Sequence, residues 1–243
     1  MEISLRHTPS FGVARVMLAP NESVKVESGA MYAMSAGVTL ESKMDGGFLR
    51  AAKRAMLGGE SFFVSTFTAP AHGGFVDVAA RLPGDLITVE VAPESAWFVQ
   101  KGSWLASAAG IDLDTKWGGF KNLFGSEGGF ILRTSGTGAL LMSCYGALET
   151  WDLQPGQTLT VDSGHMVAYE ERVQMTLRKA TGGLVQSLKS GEGFVLDFVG
   201  PGKVMTQTRN PNELLGWISA ALGTGNAGGV GPAGALGGVF GRD

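Results

Sequence analysis

An all-β fold of three internal β-sandwich repeats with short connecting helices is predicted by three observations in this 243-residue sequence. A Pro- or Gly-bearing turn leading into alternating apolar and polar residues occurs three times. A glutamate just ahead of an apolar strand entry follows each of those turns. Glycine supplies 38 of 243 residues, far above the usual share of about 7%, and a chain with this many tight corners uses glycine for them.

The first element reads Pro20–Gly29, Pro83–Glu90 and Pro155–Gly164, each an alternation that suits a half-buried strand. The first and third copies agree closely: Val26-Glu27-Ser28-Gly29-Ala30-Met31 aligns with Val161-Asp162-Ser163-Gly164-His165-Met166. The second element begins at Glu60, Glu127 and Glu192, spaced 67 and 65 residues apart, and each glutamate leads into β-branched and aromatic residues. Recurring in equivalent turns, these three glutamates are read as structural corner residues. Each second strand then meets a new turn, at Pro70–Gly74, Ser135–Gly138 and Gly200–Gly202. Another alternating run follows each, so the sequence predicts three hairpins there.

Between the two elements lie Gly46–Leu57, Gly118–Phe124 and Gly182–Lys189, each a double glycine followed by apolar residues at helical spacing. Phe48 with Ala52, Phe120 with Phe124 and Leu184 with Leu188 form i,i+4 pairs, enough for one or two helical turns with one apolar side. Two readings stand. The segments plug the end of a sheet, or their basic residues Arg50, Lys53, Arg54, Lys121 and Lys189 meet anionic groups such as a membrane surface.

The repeats are expected at about 13–80, 81–150 and 151–210 within a single domain of residues 1–220, followed by a Gly-rich flexible tail over 221–243. A short amphipathic helix is expected from Asn212 to about Leu222. The 28 residues between Glu213 and Arg242 carry no charge, yet ten are Gly, and Asn226 and Pro232 interrupt the rest, which argues against a membrane span. Two matches to the dinucleotide-binding glycine pattern in that tail lack the strand and helix that would give them meaning.

The double-glycine segments, the Glu-led strand starts, and Gly200-Pro201-Gly202-Lys203-Val204-Met205-Thr206-Gln207-Thr208-Arg209 with the later Trp217 resemble the family named for altered inheritance of mitochondria. The resemblance covers about residues 1–220. It implies a fold like that of the tryptophan RNA-binding attenuation protein, three units per chain, a homotrimer, and no known catalytic residues. The absence of a recognisable targeting peptide favours a cytoplasmic member of that family. A homo-oligomer is also expected on physical grounds. Units of about 65 residues bury little surface alone, and a stack of three leaves two strand edges that need a partner.

Chemistry is sparse. His7, His72 and His165 are isolated, so no metal site is expected. The lone Cys144 excludes an internal disulfide framework, sits in a strand pattern and has no readable base beside it. No Gly-x-Ser-x-Gly or phosphate-loop run exists. A net charge of −3, with no basic stripe interleaved with aromatics, argues against nucleic acid as a partner. The expectation is a non-enzymatic oligomeric scaffold or interaction protein without a cofactor, with a membrane surface or a protein as partner. The alternative is a small-ligand-binding protein with sites between repeats or subunits.

Overall fold

The computed structural model describes residues 1–41, 64–114, 131–180 and 194–223. Nearly all ordered elements among them are strands. In chain order they are β1 (Glu2–Arg6), β2 (Val13–Leu18), β3 (Ser23–Glu27), β4 (Met31–Met34), β5 (Thr39–Glu41), β6 (Val64–Thr68) and β7 (Gly74–Ala79). A second run follows: β8 (Leu86–Val91), β9 (Trp97–Gln100), β10 (Trp104–Ala108), β11 (Ile111–Asp114), β12 (Ile131–Gly136) and β13 (Gly138–Ser143). The third is β14 (Leu148–Leu153), β15 (Thr158–Asp162), β16 (Met166–Glu170), β17 (Gln174–Lys179), β18 (Phe194–Val199) and β19 (Gly202–Gln207).

Four antiparallel sheets result. Their strand orders are β1-β2-β7-β4, β5-β6-β3-β10-β13-β8, β11-β12-β9-β16-β19-β14 and β15-β18-β17. Three hydrophobic cores lie between successive sheets. Val16, Val76 and Val78 of the first sheet meet Val26, Phe67 and Leu141 of the second. Leu140 and Met142 of the second meet Val99, Leu132 and Met205 of the third. Phe98, Tyr169 and Val204 of the third meet Val161, Leu196 and Phe198 of the fourth. Strands of the inner sheets are therefore buried on both faces, which is why β13 reads as the continuous apolar run Ala139-Leu140-Leu141-Met142.

The same hydrogen-bonding order recurs three times. β7 lies between β2 and β4, β13 between β8 and β10, and β19 between β14 and β16. β6 lies between β3 and β5, β12 between β9 and β11, and β18 between β15 and β17. A bulge interrupts the ladder at matching points, between Met31 and Ala33, Trp104 and Ala106, and Met166 and Ala168. Each bulge adds local twist to the strand that carries it.

Two sequence expectations are corrected here. The turns at Pro70–Gly74, Ser135–Gly138 and Gly200–Gly202 do not close hairpins, because β6 and β7, β12 and β13, and β18 and β19 belong to different sheets. These turns are corners that carry the chain from one layer to the next. Gly136 (φ +104°), Gly138 (φ +132°) and Gly202 (φ +137°) supply backbone angles that side-chain-bearing residues rarely adopt. The second correction concerns Pro83–Glu90. It enters β8, which pairs as β2 and β14 do, whereas the counterpart of β3 and β15 is β9, entered from Pro93. Both stretches carry a proline and an apolar strand, and a turn signal announces a strand without saying which one.

The compact body spans Met1–Asn210, and a second unit begins at Pro211. In that unit an α-helix, α1, covers Pro211–Ala221, within one residue of the expected span, with Glu213 in its first turn. The short helices expected at 46–57, 118–124 and 182–189 lie outside the described residues. No helix among the described residues is long and apolar enough to cross a membrane.

Candidate functional site: open edges and a charged face

The basic residues Arg50, Lys53, Arg54, Lys121 and Lys189, and the glutamates Glu60, Glu127 and Glu192, all lie outside the described residues. They fall in the connections between β5 and β6, β11 and β12, and β17 and β18, the same place in each set of strands. What the described residues offer is a pair of open edges.

Inside the chain, consecutive sets of strands are stitched by one ladder each. β3 pairs with β10 through Ala106↔Val26, Ser107↔Lys25 and Ala108↔Val24. β9 pairs with β16 through Ala168↔Val99, Tyr169↔Phe98 and Glu170↔Trp97. The counterparts left over are β4 at the edge of the first sheet and β15 at the edge of the fourth. Among the described residues each has a single ladder partner, β7 and β18 respectively. On the β4 edge Tyr32 and Met34 are 52% and 40% exposed, whereas Tyr169, the counterpart of Met34, is buried. An edge strand with large exposed side chains is a template for further pairing.

The outer face of the first sheet carries the most ordered polar cluster. Arg15 Nε and Nη2 donate to Asp77 Oδ1 and Oδ2, each at 2.8 Å. Arg6 Nη2 lies 3.1 Å from Asp77 Oδ2 and donates to the Tyr32 hydroxyl at 3.0 Å. The Arg15 guanidinium also sits 4.0 Å above the Phe75 ring. These contacts leave Asp77 only 3% exposed on an outer face. The Arg15 hydrogen bonds, helped by the charges of Arg15 and Arg6, hold its carboxyl below the usual carboxylate range against the opposing effect of burial. Register assigns Leu141 and Met205 to the counterpart positions in β13 and β19, and both are buried. This cluster was missed in the sequence because Phe75-Val76-Asp77-Val78 reads as ordinary alternation with a solvent-facing aspartate.

At the other end, β14 is one of the two edge strands of the third sheet, opposite β11. Trp151 there is 41% exposed and donates from Nε1 to Thr206 Oγ1 at 3.0 Å, and Glu149 beside it is exposed.

The remaining reactive groups are occupied structurally. Cys144 is buried, and burial pushes its thiol up to about 11, far from the range of a nucleophilic cysteine. His165 Nδ1 lies 2.7 Å from the Gln207 carbonyl. No group of three or more His, Cys, Asp or Glu among the described residues is placed to hold a metal ion. Of the strand aromatics, Phe198 is fully buried beside Tyr169, with ring centroids 5.3 Å apart.

Residues 3–209 match the model of a family described as Mitochondrial biogenesis AIM24. An uncharacterized protein of Streptococcus pyogenes serotype M6 is 28% identical over 233 residues, covering 92% of both chains. A crystal structure of a Streptococcus pyogenes protein superimposes with a TM-score of 0.74 at 25% identity, covering 90% of this chain and 99% of that one.

Proposed function

The chain belongs to the Mitochondrial biogenesis AIM24 family, and we propose that this member is a non-catalytic oligomeric scaffold whose copies join head to tail by adding β4 of one chain to β15 of the next. One observation carries the reading. Twice within the chain the counterparts of these strands pair across sets, in one register and beside one bulge. Carried to the open edges, that register sets Ala33 opposite Val161, Met34 opposite Thr160 and Ser35 opposite Leu159. The contact is heterologous; a rotation per copy that divides a full turn closes a ring, and a ring removes both edges. Three copies are the closed form in keeping with the resemblance drawn above.

The test is a double variant, Met34→Cys with Thr160→Cys. Directly opposed antiparallel residues have Cα atoms about 4.5–5.5 Å apart, within disulfide reach. Mild oxidation of the double variant is expected to give covalently linked multimers, and each single variant to give none by this route. Buried Cys144 stays out of the exchange. A chain that sediments as a monomer at tens of micromolar and yields no cross-link would sink the reading.

A further inference from the structure

We propose that the Arg6–Asp77–Arg15 cluster is one half of the junction between copies, and that its other half is the strip Glu149–Trp151–Thr206 of a second copy. This rests on the assembly proposed above, and names the surfaces that meet behind the paired edges.

The internal cores supply the template. In the first core Ala14, Val16 and Leu18 of β2, with Val76 and Val78 of β7, pack beneath Leu141, Leu86 and Ala106 of the next set. In the second core the counterparts Ile87, Val89 and Val91, with Leu140 and Met142, pack beneath Met205, Leu148 and Ala168. The same positions in the third set are Glu149, Trp151, Leu153, Val204 and Thr206. The residues that the template lays over them are Asp77, Val13 and Ala33 of the following copy, with Arg15 beside Asp77. Ala106 and Ala168 are buried by this packing while Ala33, their counterpart, is only half-buried, as a face that lacks its cover should be.

The chemistry changes on both sides together. At the two internal junctions the facing positions are apolar except at the counterpart of Arg15, which is Thr88 in β8 and Thr150 in β14, both uncharged. At the terminal junction the lower strip acquires Glu149 and Thr206, and the upper face acquires Arg15 and Asp77, with Arg6 contributed by β1, a strand without a counterpart among the described residues of the other sets. Two guanidinium groups against one carboxylate leave the cluster a net positive charge. Glu149 carries the complementary negative charge and makes no ion pair among the described residues. Arg6 Nε is shielded from solvent and donates to no acceptor among the described residues, an unused donor on this face. A charged face matched to a charged strip also rejects wrong pairings, since Leu141 over Glu149 would leave a carboxylate against hydrocarbon.

The experiment measures self-association of the full chain by sedimentation at 50 and 500 mM salt, in the parent and in Glu149→Arg and Glu149→Gln. Reversal should weaken association at least tenfold at low salt. Neutralisation should weaken it severalfold and flatten the salt dependence, because screening acts on the lost pair. Trp151 emission should shift to the blue on assembly, and Trp151→Phe should remove that shift. Should Glu149→Arg melt early, Glu149→Gln decides alone, and an unchanged salt dependence overturns the proposal. Parent-like association in both variants, with the Met34–Thr160 cross-link intact, overturns this junction and leaves the edge pairing standing. Absence of the cross-link in the Met34→Cys, Thr160→Cys double variant with Glu149 intact removes both.

Discussion

Asp77 and Leu141 hold the same position in β7 and β13, yet one is a carboxylate gripped by two arginines on an outer face and the other is a leucine sealed between two sheets. The difference separates the end of the stack from its interior, and it has a pH signature.

Because Asp77 is held below the usual carboxylate range, it contributes stability that is fully present above its unfolded pKa of about 4. That stability is lost as pH falls through the lower folded value. Asp77→Asn should lower the stability at pH 7 by about 1–2 kcal/mol, two charge-assisted bonds being partly offset by solvent access to the arginines. Its melting temperature should fall less steeply than the parent's between pH 5 and 3. Melts at one fixed protein concentration check this, since association also shifts the midpoint.

Glu27 behaves in the opposite sense. Burial raises its carboxyl pKa, with the charges of Arg81 and Lys101 opposing, and Arg81 Nη2 lies 3.8 Å from Glu27 Oε1. A raised carboxyl contributes stability present below the unfolded pKa and lost as pH rises through the folded one. Gln100 stands at the counterpart position in β9. Glu27→Gln is expected to raise the melting temperature at pH 7 by about 1–3 °C, with the gain shrinking towards pH 4.

Gly84 tests the corner between the first two sets of strands. A Cβ there would lie 2.0 Å from the Cys144 carbonyl oxygen, where Gly84 bridges Gly146 and accepts from the Gly12 amide at 2.8 Å. Backbone must move to admit a methyl group, so Gly84→Ala should cost about 3 kcal/mol or more. Gly102, with open space around its Cα and ordinary backbone angles, is the control: Gly102→Ala should stay within about 0.5 kcal/mol of the parent. Urea denaturation of both variants gives the comparison.

The thiol of Cys144 should be inert in the folded chain. It is buried, donates to the Gly146 carbonyl at 3.3 Å, and is pushed up to about 11 by burial. At pH 8 an aromatic disulfide reagent is expected to modify it only on the timescale of opening, and at once in denaturant. Stoichiometric labelling of native protein within seconds would contradict the buried placement of Cys144 directly after β13.

The strand content, the β3 and β15 turns, the α1 helix and the structural character of Cys144 were legible in the amino-acid order because each depends on neighbours a few residues away. Alternation marks a half-buried strand, proline and glycine mark a corner, and the apolar residues from Leu214 to Leu222 mark a short helix. Partner choice was not legible. The turns before β7, β13 and β19 look like hairpin turns, but a corner that switches sheets uses the same glycines, and only the stacking of layers distinguishes them. Asp77 was invisible for a related reason: an aspartate in an alternating strand is ordinary until Arg6, from another strand more than sixty residues earlier, is found beside it. Local order along the chain therefore determined what the pieces are. The tertiary structure decided which edges stay open and which charges meet, because hydrogen-bond ladders and ion pairs join residues that covalent order does not place together.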